Sequence, residues 1–273
     1  MQPELKNLCI HTITTKPWEI EESAEYFARA GVGGITVWRQ ALEGRNITRT
    51  GEQLRNHGLS VVSLCRGGFF PSTSLRQRQL NIDDNLLALD EAAALGAPLI
   101  VLVCGADPGQ SLEVSRDQIK AGIEAVLPRA EELGIKLAIE PLHPMYADTR
   151  SAVNTLSQAN DMAEAINSPH VGVAVDVYHL WWDPTLKQEI ERCGQHGNLF
   201  AFHICDWKFP LDDILNDRGL MGEGAINVPQ IRQWVEAAGF SGFNEVEIFS
   251  NRYWAMDQHE FLSKIIKAYR ENS

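Results

Sequence analysis

Short β-rich runs alternate with amphipathic stretches along the whole chain. The eight runs with strand composition are Leu8–His11, Gly34–Trp38, Ser60–Arg66, Leu99–Cys104, Lys136–Glu140, Val171–Asp176, Ala201–Cys205 and Asn244–Phe249. The stretches between them repeat apolar residues at the spacing of one helical face, as Ile119, Ile123 and Val126 do. Eight strand–helix units in 273 residues predict one α/β domain over residues 1–273, a closed (β/α)8 TIM barrel. An open doubly wound sheet would need a glycine-rich phosphate-binding turn after an early strand, and the sequence has none.

Charge and composition argue against several classes of partner. The chain carries 36 acidic and 24 basic residues, a formal net charge of −12 without a basic cluster, so we expect no nucleic-acid partner. The sequence contains no apolar stretch of membrane-spanning length, and from MQPELKNLCI, which has no basic flank and no long apolar run, we expect no signal peptide. Four of the five cysteines lie within predicted strands, as buried reduced thiols do, and we therefore expect a cytoplasmic protein.

Residues of metal-ligand type stand near the ends of four separate predicted strands. They are Glu140, Asp176, His203 and Glu247. Side chains alternate across a strand, and bulky aliphatic residues such as Ile139 occupy the opposite parity in all four strands. If the aliphatic residues face the surrounding helices, the four polar side chains face the barrel axis. Catalytic groups in this fold lie at the carboxyl ends of strands.

Three carboxylates and one imidazole form a ligand set rich in oxygen. This set predicts one divalent cation, with Mn²⁺ the first choice and Mg²⁺, Co²⁺, Fe²⁺ and Zn²⁺ open. The alternative is a structural network of salt bridges and caps. We favour the cation because carboxylates that share a site repel one another unless positive charge neutralises them.

Other candidate residues follow from their places at strand ends. His11, Trp38 and Arg66 end the first three predicted strands, and we expect them to line the mouth of the barrel and bind substrate. Trp38 would stack on a sugar and Arg66 would hydrogen-bond to it. Alternatively, Trp38 only packs and Arg66 pairs with a carboxylate. Glu245 shares a face with Glu247 but lies deeper, so we interpret it as a structural acid that needs a buried partner.

Several motifs of the chain resemble those of a known family. They are IEPLH, DVYH, FHICD, the GEG turn at Gly222–Gly224 and VEIFS. With these motifs the chain resembles, over essentially its whole length, the xylose isomerase-like superfamily of TIM barrels. That superfamily includes sugar isomerases, ketose 3-epimerases and inosose-processing enzymes. The resemblance implies that Glu140, Asp176, His203 and Glu247 bind the metal, and that Glu140 and Glu247 also act as catalytic acid and base.

The resemblance extends to residues around the expected metal. It implies that His179 contacts substrate oxygens and that Arg218 reaches the substrate. The loop Lys208–Asp217, however, is longer and more acidic than the family pattern. The segment EPLHPMYADTRS resembles a subgroup that acts on 3-keto glycosides by elimination, including C-glycoside deglycosidases. In that subgroup the residue corresponding to His143 would be the catalytic base.

These observations lead to a first hypothesis and three alternatives. The first is a metal-dependent sugar isomerase or epimerase that acts on a ketose, keto-sugar or inosose through an enediolate. The second is a metal-dependent lyase or deglycosidase that eliminates the aglycone from a 3-keto glycoside. An abasic-site endonuclease-like hydrolase agrees less well with the net charge of −12, and a non-catalytic sugar-binding barrel would not need two potential bases. The expected partner is a small sugar, while a homo-oligomer or a small accessory subunit stays open.

Overall fold

A computed structural model describes residues 3–273. Eight parallel strands close into a barrel, which confirms the predicted α/β fold. The barrel strands are β1 (Leu8–His11), β2 (Gly34–Trp38), β3 (Ser60–Gly68), β4 (Leu99–Val103), β5 (Lys136–Glu140), β6 (Val171–Asp176), β7 (Leu199–Ile204) and β10 (Asn244–Val246). Their order around the barrel is β1-β10-β7-β6-β5-β4-β3-β2. A two-stranded antiparallel sheet of β8 (Asp206–Trp207) and β9 (Arg218–Gly219) follows β7.

Helices follow the strands and cover the outside of the barrel. They are α1 (Ile20–Ala30), α2 (Ile47–Asn56), α3 (Leu75–Leu95), α4 (Leu112–Leu133), α5 (Leu156–Ile166), α6 (Val177–Leu180), α7 (Leu186–His196), α8 (Val228–Ala237), α9 (Asn251–Trp254) and α10 (Gln258–Asn272). Within residues 3–273 no helix is both long enough and apolar enough to cross a membrane.

Four strands have the predicted bounds; three others differ by one to three residues at their ends, and β7 differs at both its start and its end. The largest difference is in β10, which ends at Val246 rather than at Phe249. Beyond Val246 the chain leaves the ladder because the backbone N–H of Ile248 donates to Thr14 Oγ1, at 3.0 Å. Glu247 therefore stands one residue beyond its strand, although its own N–H still donates to Ile204 O, at 3.3 Å.

The core has two layers, which follow the predicted alternation of side chains. Aliphatic residues such as Ile139 and Val175 pack between the barrel and the helices. The axis is filled by another set, which includes Ala138, Ala174 and Ala201. Each of these alanines lies two residues before a ligand-type residue on the same face of its strand. Small side chains at this level leave room for polar groups in the layer above.

Asp206 links two of the sequence motifs, the FHICD segment and the GEG turn. Its Oδ2 accepts the backbone N–H groups of Gly222 and Gly224 at 2.9 and 2.8 Å. Its Oδ1 accepts those of Trp207 and Ile226 at 2.8 and 2.9 Å. One fully buried carboxylate thus satisfies four N–H groups of the chain that follows β7. Only glycine fits at position 224, because a Cβ there would lie 2.0 Å from Trp207 O.

The variant Asp206→Ala should lower the free energy of unfolding by about 2–4 kcal/mol, because it leaves buried N–H groups without acceptors. Urea unfolding followed by circular dichroism would measure the loss. The control Asp148→Ala removes an exposed carboxylate and should stay within about 0.5 kcal/mol of wild type. Equal stability of Asp206→Ala and wild type would mean that other contacts hold the turn.

Candidate metal centre

The four predicted ligand residues converge at the carboxyl ends of neighbouring strands. Glu140 and Asp176 end β5 and β6, His203 is the penultimate residue of β7, and Glu247 follows β10. Each offers one ligand atom, and these atoms all lie within 4.8 Å of one another. All four side chains are buried, with at most 4% of the residue surface exposed. The inward parity predicted from the sequence accounts for this convergence.

The distance between Glu140 and His203 fits a metal ion. Glu140 Oε1 lies 2.9 Å from His203 Nδ1, yet within residues 3–273 neither atom has a well-directed hydrogen bond. Two ligands bound at right angles, each about 2.1 Å from an ion, would be roughly 3.0 Å apart. Burial opposes a charge on His203, but Glu140 and Glu245 raise its pKa to about 10. A metal ion can take the place of that ring proton.

Arg218 enters the same cluster from β9. Its Nη1 donates to Glu247 Oε2 at 2.7 Å and to Asp176 Oδ2 at 3.1 Å. Burial alone would raise the pKa of Glu247, but Arg218 and His11 hold it well below its ordinary value. Burial raises the pKa of Asp176, with the charge of Glu247 acting in the same direction and Arg218 against it. Glu247 is therefore the more firmly ionised of the two.

The structure corrects the placement expected for His11. This residue is fully buried below the cluster, and it does not line either cavity at the mouth. Its Nε2 lies 3.1 Å from Glu245 Oε2 and its Nδ1 lies 3.1 Å from Glu247 Oε1. Two carboxylates of the neighbouring β10 segment thus hold both ring nitrogens, which keeps the ring away from the mouth. Burial opposes a charge on His11, but these carboxylates raise its pKa to about 9.

Glu245 has the buried partner that its position required. Besides His11, it accepts a hydrogen bond from Thr36 Oγ1 at 2.6 Å. Its Oε2 also lies 3.9 Å from His203 Nε2, so it faces both imidazole rings from below. Burial would raise the pKa of Glu245, but the two histidines and Thr36 lower it. A charged carboxylate therefore forms a second layer under the candidate ligands.

Two adjoining cavities open at the mouth of the barrel. A small one of about 20 Å³ lies over Glu140 and Glu247 and is also lined by His179 and Arg218. A larger one of about 520 Å³ is lined by Arg66 and by several aromatic residues. Their shared lining residues are Trp38, Arg150, Leu215 and Phe249. The larger cavity therefore adjoins the space over the candidate metal centre.

Four of the predicted substrate contacts, Trp38, Arg66, His179 and Arg218, line these cavities. Trp38 packs edge-on against Phe249, with ring centroids 5.2 Å apart. Arg66 lies over the ring of Phe69 at 4.0 Å, and no carboxylate within residues 3–273 pairs with it. His179 Nε2 lies 3.2 Å from Arg218 Nη2. Burial and Arg218 lower the pKa of His179 well below its ordinary value. The ring is therefore neutral and can accept a hydrogen bond.

His143 is not brought to the cluster. Its ring lies 4.9 Å from that of Trp207 and 5.7 Å from that of Trp182, and it lines neither mouth cavity. Its Nδ1 accepts the backbone N–H of Met145 at 3.2 Å. Burial lowers the pKa of the half-buried ring. The packing partners of His143 are therefore the aromatic rings of Trp182 and Trp207.

Sequence reasoning missed three residues at the mouth. Tyr146 and Arg150 line the small cavity beside Glu140, and both belong to the EPLHPMYADTRS segment that was singled out only for His143. Leu215, from the long loop before Arg218, covers the mouth from the other side. The Tyr146 hydroxyl donates to Ile214 O and so joins the segment to this loop. The only sequence signal for Leu215 was the unusual length of its loop.

The model of the xylose isomerase-like TIM barrel family matches residues 24–265. This chain belongs to that family. An inosose isomerase of Halalkalibacterium halodurans is 28% identical over 278 aligned residues, which cover 93% of this chain and 91% of that protein. A solved structure from Sinorhizobium meliloti 1021 has 44% identity and a TM-score of 0.95, over 98% of this chain and 99% of that chain. The IOLI protein with a bound zinc atom has 22% identity and a TM-score of 0.81, over 96% of each chain.

Within this family member, Glu245→Gln should lower the free energy of unfolding by about 3–5 kcal/mol, because it leaves the charge of His11 with one carboxylate instead of two. Chemical denaturation would measure the change. The control Glu236→Gln breaks an exposed ion pair with Arg232 and should stay within about 1 kcal/mol of wild type. If Glu245→Gln were as stable as Glu236→Gln, the buried contacts of Glu245 would contribute little to the stability of the fold.

Proposed function

We propose that this protein is a divalent-metal-dependent isomerase or epimerase that acts on a ketose, keto-sugar or inosose. The observation that carries the proposal is the convergence of Glu140, Asp176, His203 and Glu247 at the mouth of the barrel. Similarity to an inosose isomerase over 93% of the chain supports the substrate class. The zinc in the IOLI structure, which has the same fold, supports a divalent ion.

The four clustered residues would hold the ion, since their ligand atoms are close, buried and of the oxygen-rich type that suits such ions. When bound, a divalent cation polarises a substrate carbonyl and stabilises the negative charge that develops there. The four residues are buried, with at most 4% of the surface of each exposed. Burial strengthens each electrostatic interaction within the site.

Glu140 and Glu247 are the groups suited to move a proton. Either carboxylate would take the acidic C–H proton beside the carbonyl. Delivery of a proton from the opposite face would give an epimer, and delivery at the neighbouring carbon would give an aldose–ketose isomer. His11 at Oε1 and Arg218 at Oε2 fix the orientation of Glu247. Neutral His179 lies beside Arg218 at the cavity wall, where both can contact substrate oxygens.

Glu140→Gln and Glu247→Gln should each reduce kcat/KM by about 10²–10⁴-fold, because the amide cannot accept the proton and is a weaker metal ligand. Steady-state assays with ketoses and inososes, together with elemental analysis of the protein, would measure both effects. Dialysis against a chelator should cause a similar loss, and Mn²⁺ should restore the activity. Full activity and metal content in both variants would exclude the mechanism.

The lyase alternative can be tested at His143. Because this ring packs against Trp182 and Trp207 and not over the cluster, His143→Ala should retain isomerase or epimerase activity within about tenfold. Parallel assays would follow isomerisation of a ketose and elimination from a 3-keto glycoside. Elimination by wild type that disappears in His143→Ala would instead favour a deglycosidase in which this histidine moves to the substrate.

A further inference from the structure

Arg66 and Arg150 differ from the other arginines that are buried or half-buried. Every other such arginine donates to a carboxylate or a backbone carbonyl, as Arg39 does to Glu91. Within residues 3–273, the guanidinium groups of Arg66 and Arg150 have no hydrogen bond or ion pair with a protein acceptor. An arginine side chain carries five N–H donors. The lack of an acceptor for two half-buried guanidinium groups therefore requires an explanation.

Both guanidinium groups face the same space. Arg66 lies near the end of β3, and Arg150 lies in the segment after β5. Both line the cavity of about 520 Å³. Lys16 stands at the rim of this cavity, with its ammonium 4.5 Å from the centre of the Trp254 ring. The only carboxylate that lines the described cavity is that of Glu19, and Arg45 already binds it at 2.5 Å. The cavity is therefore electropositive in a chain of net charge −12.

The two arginines repel each other as they stand. Burial and the charge of Arg150 lower the pKa of Arg66 to about 10. Burial and Arg218 act in the same direction on Arg150. Charges held in this way are unfavourable for folding, and a ligand anion would relieve the repulsion. Aromatic rings cover one face of Arg66 and Lys16 but leave their N–H donors available.

The position of the cavity relates this charge to the candidate metal centre. The ligand-type residues come from β5 to β10, whereas Lys16 comes from the first strand–helix unit and Arg66 from the third. Arg150 lies between them and lines both cavities. A substrate with its reacting carbons over Glu140 and Glu247 would extend its other end towards Arg66.

We propose that the substrate carries an anionic group, a carboxylate or a phosphate, which Arg66 and Arg150 bind at the end remote from the reacting carbons. The planar guanidinium fork matches either anion with paired hydrogen bonds. Lys16 adds a third positive charge at the entrance. This inference rests on the proposed function and narrows its substrate class from neutral sugars to acidic ones.

Calorimetric titration of the Mn²⁺-loaded full-length protein with matched pairs would test the inference. D-Glucuronate and D-glucose form the carboxylate pair, and D-fructose 6-phosphate and D-fructose form the phosphate pair. In one pair the anion should bind at least about tenfold more tightly than the neutral sugar, and added salt should reduce the difference. The pair that shows the preference identifies the anion. Equal affinity within both pairs would overturn the inference.

Variants of the two arginines would show whether they cause the preference for the anion. Arg66→Gln and Arg150→Gln should each reduce the preference, and the double variant should abolish it. The control Arg76→Gln removes an exposed arginine of α3 and should keep the full preference. Because the double variant removes two repelling charges, its melting temperature should not fall. A preference that survived in the double variant would place the anion elsewhere and refute the inference.

The two proposals fail in different ways. If neutral keto-sugars are converted without any preference for anions, the isomerase or epimerase function stands and the anion site does not. If acidic sugars bind through the two arginines but Glu140→Gln and Glu247→Gln retain full activity, the anion site stands and the proposed mechanism does not.

Discussion

The mutual repulsion of carboxylates on the barrel axis is the constraint on which the rest of the site depends. The carboxylates are those of Glu140, Asp176, Glu245 and Glu247, and the basic groups among them are His11, His203 and Arg218. All are buried, where unpaired charge is far more unfavourable than in water. If His203 is a neutral metal ligand, the charges of His11 and Arg218 leave two carboxylates unbalanced, and one divalent cation would complete the neutralisation.

The network also gives the two candidate bases different surroundings. Glu247 is held by His11 on one oxygen and Arg218 on the other, so its ionised form is strongly favoured. Within residues 3–273, the basic group that pairs with Glu140 is the Nδ1 of His203, at 2.9 Å and without a well-directed hydrogen bond. Enzymes that move a proton between two carbons or two faces need groups that differ in their readiness to accept it. The asymmetry is thus part of what makes the site suited to isomerisation or epimerisation.

Charge is segregated across the mouth. Acidic ligand-type residues come from the second half of the barrel, whereas Arg66 and Lys16, which have no protein acceptor within residues 3–273, come from the first half. Arg150, from the segment after β5, lies between them and lines both cavities. Aromatic residues such as Trp38 and Phe249 lie between the two halves. A molecule that spans the mouth would therefore meet the candidate metal centre at one end and the proposed anion site at the other. Such a division would fix the orientation of a substrate before any chemistry occurs.

Much of this architecture could be predicted from the sequence, because it depends on local periodicity. The alternation of strands with helices predicted the barrel, and side-chain parity within each strand placed Glu140, Asp176 and His203 on the axis. Parity also predicted that Glu245 would need a buried partner, although it could not identify that partner. Strand ends were less well predicted, since hydrogen bonds such as that from Ile248 to Thr14 come from distant parts of the chain.

The sequence by itself thus determined the closed α/β barrel and the convergence of four ligand-type side chains, because both follow from spacing along single strands. Only the tertiary structure decided that His11 lies under the cluster, that His143 packs against tryptophans, and that Arg66 and Arg150 share a cavity. Those outcomes depend on which charged and aromatic groups from other strands come within a few ångströms. No local pattern encodes such distances, and charge pairing across the closed barrel sets them.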